Sequence, residues 1–347
     1  MTALGKTGVV AGGYNSAPSS TTQSLIDKWW EDHRESPRPH MGASLLGHPC
    51  ERWLWLSFRW AVQEKFSGRM LRLFDRGKRE EESIGLNLRR IGIVIHNTCL
   101  DDEGQCHVDF GSHVAGSVDG IIESGVPEAP KARHIAEFKT HSLKSFNELK
   151  RLGVFDAKRR HWCQMQVYMA GTRIDRALYV AVCKDNDEMY TERIHYNPQA
   201  AQEIIERGKR IALSDRLPPP LSTDPTWYQC KMCQAHDFCH VTHIITPECV
   251  NCRTCAHSTA CPDSTWRCEF FGQKKGYDGQ LLGCPSHVLH PDLVPWKYLG
   301  GDENGRNAVY EINGIKVLNG SGRGAIMSRD LLRGIRTADA DQTDAPF

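Results

Sequence analysis

Glu137 and Lys139, within "HIAEFKTHSL" (134–143), stand two residues apart in an otherwise apolar run. In a strand, residues at that spacing share a face, so a carboxylate and an ammonium would sit side by side. Upstream, "GSVDGII" puts Asp119 where a strand meets a turn, and a hairpin would bring both carboxylates to one end of a sheet. Paired carboxylates suit a hard divalent cation such as Mg²⁺, which takes a few carboxylate oxygens together with water and substrate phosphate oxygens. The lysine would orient a water or meet charge developing on a phosphate. A third acid, Glu81 or its neighbour Glu80 in "RGKREEES", lies on a predicted helix, and "HWCQMQVYMAG" sets Gln164 and Tyr168 one helical turn apart on one face. Singly, each piece has an ordinary explanation as a surface ion pair, a turn aspartate or a helix lining.

Taken in order, Glu81, Asp119, Glu137-Phe138-Lys139 and Gln164-x3-Tyr168 resemble the motifs of the PD-(D/E)XK nuclease superfamily. The likeness spans about residues 40–240. It is to the RecB-type branch, which includes lambda-type phage exonucleases and CRISPR-associated adaptation nucleases. The resemblance implies an α/β, restriction-endonuclease-like core with a central mixed sheet flanked by helices. It also implies Mg²⁺ or Mn²⁺ held by Asp119, Glu137, the Phe138 carbonyl and Glu81, with Lys139 assisting the attacking water and Gln164 and Tyr168 orienting site and DNA. The expected activity is hydrolysis of phosphodiester bonds in linear DNA, exonucleolytic rather than site-specific. Recombination, repair and phage DNA metabolism are the settings, with a recombination or replication protein as partner. The rival is a non-catalytic, zinc-bearing nucleic-acid-binding adaptor on a degenerate nuclease fold.

With 43 Lys+Arg against 42 Asp+Glu, the chain has no global attraction for polyanions, so a nucleic-acid surface must be local. Residues 131–160 hold nine Lys/Arg against three acids. From this segment Lys144, Lys150, Arg151, Lys158, Arg159 and Arg160 are the candidate phosphate contacts, which would make binding strongly salt-dependent. The plain alternative is a solvated helix face.

Fourteen cysteines make the second pattern, and eight of them fall within residues 230–268. A secreted disulfide scaffold would spread its cysteines through a small domain. Here a long ordinary stretch comes first and C-x2-C pairs follow, which favours metal. Cys230-x2-Cys233-x5-Cys239 is one thiolate short of a tetrahedral set, and Cys50 stands alone in "LLGHPCERWLW". One early cysteine with a late C-x2-C-x5-C resembles the iron–sulfur-stapled RecB-type nucleases, AddB among them, and implies a 4Fe–4S cluster on Cys50, Cys230, Cys233 and Cys239. Zinc is the rival at this set, with His236, His240 and His243 close by. Cys252, Cys255, Cys268 and Cys284 resemble a small zinc ribbon, with His287 as the substitute for Cys284. Cys249 and Cys261 are surplus, and the Cys252, Cys255, Cys261 spacing leaves a second cluster open. Cys99, Cys106, Cys163 and Cys183 are expected as packed thiols.

The elements that must position these groups follow from periodicity and breakers. Residues 24–59 suggest two helices broken at "SPRPHMG", the second capped by Ser44, and 66–91 suggest a longer amphipathic helix. β-Like runs cover 91–97, 106–124 and 134–140. Residues 142–170 are helical, 176–196 form two strands about a "KDND" turn, and 197–213 form a helix with Pro198 in its first turn. A hairpin follows Pro295. The expected domains are a flexible arm at 1–23, the nuclease-like core with its staple at 24–245, a zinc-ribbon-like module at 246–295, and a hairpin with a disordered acidic tail at 296–347. Neither a nucleotide-binding glycine loop nor a membrane span nor a signal core is present, so a cytoplasmic protein (host cytoplasm if phage-encoded) is expected.

Overall fold

Alternation along two neighbouring strands decides what lies on each face of the central sheet. Along Arg176–Cys183, Ala177, Tyr179, Ala181 and Cys183 join one apolar cluster, while Leu178, Val180 and Val182 join another. Along His134–His141, Ile135 belongs to the first cluster and Ala136 and Phe138 to the second. Period two therefore puts Glu137, Lys139 and His141 on the face of the first cluster, and seals Phe138 into the other. These assignments come from a computed structural model, which describes residues 21–62 and 66–334.

The sheet has five strands in the order Val94–His96, Gly120–Ser124, His134–His141, Arg176–Cys183, Met189–His195. Neighbours are antiparallel except the third and fourth, which run parallel with Glu137 opposite Tyr179 and Lys139 opposite Ala181. A parallel pair needs a crossover, here the helices Leu143–Ala157 and Arg159–Thr172. The class is thus α/β, with a mixed central sheet flanked by helices and a small cysteine-rich module. The helical stretch expected over 142–170 is two helices. Gly153 turns to φ 73°, open to glycine alone at little cost, and the chain re-aims at Lys158.

Other departures are local. The second N-terminal helix is split into Ala43–Leu46 and Glu51–Phe58, because Gly47 and Pro49 interrupt it. Ser44 is not its cap. Gly42 precedes the first piece, and the Cys50 thiol caps the second by accepting from the Trp53 amide at 3.4 Å. At 198–213 Asn197 caps the helix by accepting from the Ala200 amide at 3.0 Å, with Pro198 following it. The expected hairpin after Pro295 is a three-stranded antiparallel meander, Lys297–Gly301, Ala308–Ile312 and Ile315–Asn319. Its second turn is Asn313-Gly314, both at positive φ, as a tight hairpin requires. Cys163 and Cys183 are buried as expected, but Cys99 is exposed and Cys106 half-buried, since both sit in the irregular chain around 97–106 rather than in a packed element.

The chain separates into two compact units, one of residues 1–35 with 65–76 and the other of 36–64 with 77–347. In the smaller unit Thr21–Asp32 is helical, so the expected arm is helix in its last three residues. The Arg72 guanidinium pairs with Asp27, and the Gly68 amide donates to Glu31 at 2.8 Å. Residues 1–20 and the acidic tail at 337–347 lie outside the described residues. Among the described residues no helix is long and apolar enough to cross a membrane.

Candidate metal and nucleic-acid site

Asp119 stands one residue before the Gly120–Ser124 strand, whose Gly120 pairs with Ala136, so it arrives beside Glu137. Its Oδ2 accepts from the Phe138 amide at 2.8 Å. Glu137 is wholly buried, and neither of its oxygens has a hydrogen-bond partner, although Lys139 forms an ion pair with Oε1. The Lys139 ammonium also donates to the Phe138 carbonyl at 2.9 Å and lies 3.8 Å from Asp119 Oδ2. One cation thus gathers three of the four oxygen groups that a divalent metal was expected to use.

Burial drives the electrostatics here. It pushes the Glu137 carboxyl up to about 8 against the pull of Lys139, and Asp119 adds to the rise. Burial raises Glu81 to about 7, again with Asp119 contributing. Burial alone would lower Lys139, but Glu137 and Asp119 outweigh it and hold the ammonium charged. Glu81 is therefore within electrostatic reach of the pair. Gln164 donates to the Tyr168 hydroxyl at 3.3 Å, and both side chains are buried. Burial raises the Tyr168 phenol, with Glu137 and Asp119 adding to the rise. Its ring packs over Gly116, where a Cβ would come within 2.8 Å of it, so glycine is what lets the phenol reach this place.

The basic segment is partly neutralised. Lys150 pairs with Glu188 at 2.6 Å and Lys158 with Glu148 at 2.8 Å, while the Arg159 guanidinium stacks over Phe155 and Trp162. Three polar side chains that the spacing of motifs passed over join the same face of the sheet. His141 continues the period of Glu137 and Lys139, Tyr179 lies opposite Glu137 in the parallel pair, and His161 lies one turn before Gln164. His141 and His161 both reach the Tyr179 hydroxyl, at 2.8 and 2.9 Å.

Cys50, Cys230, Cys233 and Cys239 are drawn into one neighbourhood, where the Cys50 thiol acts electrostatically on each of the other three. Burial raises all three, Cys233 to about 11, so loading a metal there must release protons. Arg207 fixes the loop before Cys50 by donating to the carbonyls of Leu46, His48 and Pro49. Further along, Cys252, Cys255, Cys268 and Cys284 line a single cavity of about 110 Å³. His287 lines it too, but its ring nitrogens face the hydroxyls of Ser328 at 2.8 Å and Thr254 at 3.3 Å. Cys249 is buried with its thiol facing Thr246, and the Cys261 thiol faces the Thr259 carbonyl. Among the described residues no three or more His, Cys, Asp or Glu side chains are close enough as they stand to hold a metal ion. In the acid cluster Lys139 occupies the point where the oxygens converge. The donor chemistry fits nonetheless: a buried carboxylate whose charge is met by a neighbouring cation is an oxygen ligand of the kind a hard cation takes, and sets of four thiols suit zinc or iron–sulfur.

No protein family and no curated protein matches the chain. Among solved structures, SSO0001 is 16% identical, with 63% of this chain and 95% of that chain covered and a TM-score of 0.39. A complex of LHK-Exo with dAMP is 14% identical, covering 54% of this chain and 90% of that one at a TM-score of 0.36. An alkaline exonuclease, LHK-Exo, from Laribacter hongkongensis is likewise 14% identical, with 53% and 90% covered and a TM-score of 0.33.

Proposed function

We propose that the protein is a metal-dependent deoxyribonuclease of the PD-(D/E)XK type, RecB-like in its motifs and exonucleolytic on linear DNA. The observation that carries this reading is the convergence of Asp119, Glu137 and the Phe138 carbonyl on one point, marked by the Lys139 ammonium. Mg²⁺ or Mn²⁺ held by these groups with Glu81 would supply Lewis acidity at the phosphorus and a more acidic water. Phe138 serves through its backbone: its ring is locked in the core, which fixes the direction of its carbonyl. Lys139 orients the incoming water and offsets charge gathering on the phosphate oxygens. Gln164 and Tyr168 position the acid cluster from the helix above. Lys144, Lys150, Arg151, Lys158, Arg159 and Arg160 would meet the DNA backbone, with Lys150 and Lys158 exchanging their carboxylate partners for phosphate. The cysteine set of Cys50, Cys230, Cys233 and Cys239 is assigned a structural 4Fe–4S cluster, with zinc the alternative there. The set of Cys252, Cys255, Cys268 and Cys284 is assigned zinc in a module that docks DNA or a recombination or replication partner.

The test is degradation of end-labelled linear DNA, single- and double-stranded, by anaerobically purified protein with Mg²⁺ or Mn²⁺. Protein that is inert on both substrates with both metals refutes the reading. A pH profile adds a second expectation. Glu137 holds a proton up to about 8 in the metal-free protein, so metal must displace that proton at any lower pH. Apparent metal affinity should therefore climb about tenfold per pH unit just below that point, more steeply below about 7 where Glu81 is protonated too, and level off above it. Metal titrations at several pH values will show this slope, and a flat response from pH 6 to 9 would contradict the buried, protonated Glu137.

A further inference from the structure

Beyond Lys139 the central strand continues into a hydrogen-bonded chain with a direction. The His141 Nδ1 edge lies 3.1 Å from Ser145 Oγ and its Nε2 edge 2.8 Å from the Tyr179 hydroxyl, while His161 Nδ1 lies 2.9 Å from the same hydroxyl. Burial lowers His141 to about 4 and His161 to about 2, and nearby cations, Lys139 among them, deepen both shifts, so each imidazole is neutral. A neutral imidazole carries one N–H, and a phenol has one proton to give. The Tyr179 hydroxyl can therefore donate to no more than one histidine, and where it does so it accepts from the other.

Two arrangements keep the phenol proton inside the chain. In one, Ser145 donates to His141, His141 Nε2–H to Tyr179, and Tyr179 to His161 Nδ1, which leaves His161 with an N–H on its Nε2 edge. In the reverse, that edge carries a lone pair. His161 sits half-buried in the first turn of the Arg159–Thr172 helix, on the face of Gln164 and Tyr168, and Lys139 is the strongest charge acting on it. A helix start, a nearby ammonium and the flanking Lys158 and Arg160 all favour an anion at this place. A lone pair would repel phosphate, and an N–H would bind it.

We propose that His161 is a substrate-contacting residue that donates its Nε2–H to a DNA phosphate, its tautomer set by the Ser145–His141–Tyr179 chain. This rests on the nuclease reading for the identity of the ligand. Tyr179 and His141 are positioning residues, since they act through His161.

The test measures binding of a short labelled single-stranded oligonucleotide without added divalent cation, beside cleavage with Mg²⁺. His161→Ala should weaken binding about tenfold or more, the scale of a hydrogen bond to a charged group. His161→Gln, whose amide N–H lies at a similar reach, should recover most of the loss. Nitrogen-15 spectra of the imidazoles in the DNA complex should show His161 as the Nε2–H tautomer, with its signals identified by their absence in His161→Gln. Wild-type binding by His161→Ala, no recovery with glutamine, or an Nδ1–H tautomer each overturns the proposal while wild-type cleavage keeps the nuclease reading. A wild-type protein that neither cuts nor binds DNA overturns both.

Discussion

Glu137→Ala is expected to abolish metal-dependent DNA cleavage, and Lys139→Ala to slow it by about 10²–10³-fold, the usual loss when one preorganised charge-stabilising group is removed. The two variants should differ in kind. Glu137 is wholly buried and ion-paired with Lys139, so its loss removes a ligand that no neighbour replaces. Lys139 contacts Glu137, the Phe138 carbonyl and, at longer range, Asp119, so its removal leaves the oxygens in place and takes away the cation. Excess Mn²⁺ should therefore restore part of the activity of Lys139→Ala and none of that of Glu137→Ala. Single-turnover cleavage of a labelled duplex across a metal titration checks this. Equal rates for wild type and Glu137→Ala would remove the acid cluster from the reaction.

Cys255→Ser is expected to release one zinc per chain and to lower the melting temperature on the order of 10 °C, at ~2–4 °C per kcal/mol for a domain of this scale. Binding of a structural zinc is itself folding free energy in small modules of this kind. Cys255 is buried against the cavity that Cys252, Cys268 and Cys284 also line, and burial pushes its thiol up to about 12. Three short strands, Ser258–Ala260, Trp266–Cys268 and Gln273–Lys275, lie in the same stretch of chain as these cysteines. Cys249→Ser is the comparison, since that thiol faces Thr246 rather than the cavity, and it should keep the zinc. Metal analysis by mass spectrometry with a thermal melt decides. An unchanged zinc content in Cys255→Ser rejects the assignment.

What could be read in advance depended on how locally each feature is encoded. Glu137 and Lys139 stand two apart in a strand, so their shared face follows from the residue spacing alone. Gln164 and Tyr168 follow in the same way from the helical turn. Tyr179 has no such signal. It meets His141 only because strands separated by two helices pair in parallel with Glu137 opposite Tyr179, a register that no local pattern contains. His141 carries the right period, but an imidazole amid apolar neighbours has no marker that separates a relay from packing. The break at Gly153 and the restart of the helix at Cys50 were hidden for the opposite reason. Both lie inside good helical patterns, and the backbone turn, rather than the apolar periodicity, ends the helix. The four cysteines around the 110 Å³ cavity were nameable from spacing, while the failure of Cys249 to face it depends on a turn at 247–249.

Arg253 stands in the chain between Cys252 and Cys255, and its side chain is buried. It donates to the carbonyls of Phe58 and Pro39, both at 2.8 Å, and stacks near Phe58, Trp60 and Trp266. Beside it, Arg59 donates back to the Arg253 carbonyl. A chain trimmed after residue 245 would lose that guanidinium, leaving two inward-facing carbonyls unanswered and an aromatic surface bare to water. Such a fragment keeps every residue of the acid cluster. It is nonetheless the form that should precipitate, so the cysteine-rich tail acts as a built-in stopper for the fold as well as a place for metal.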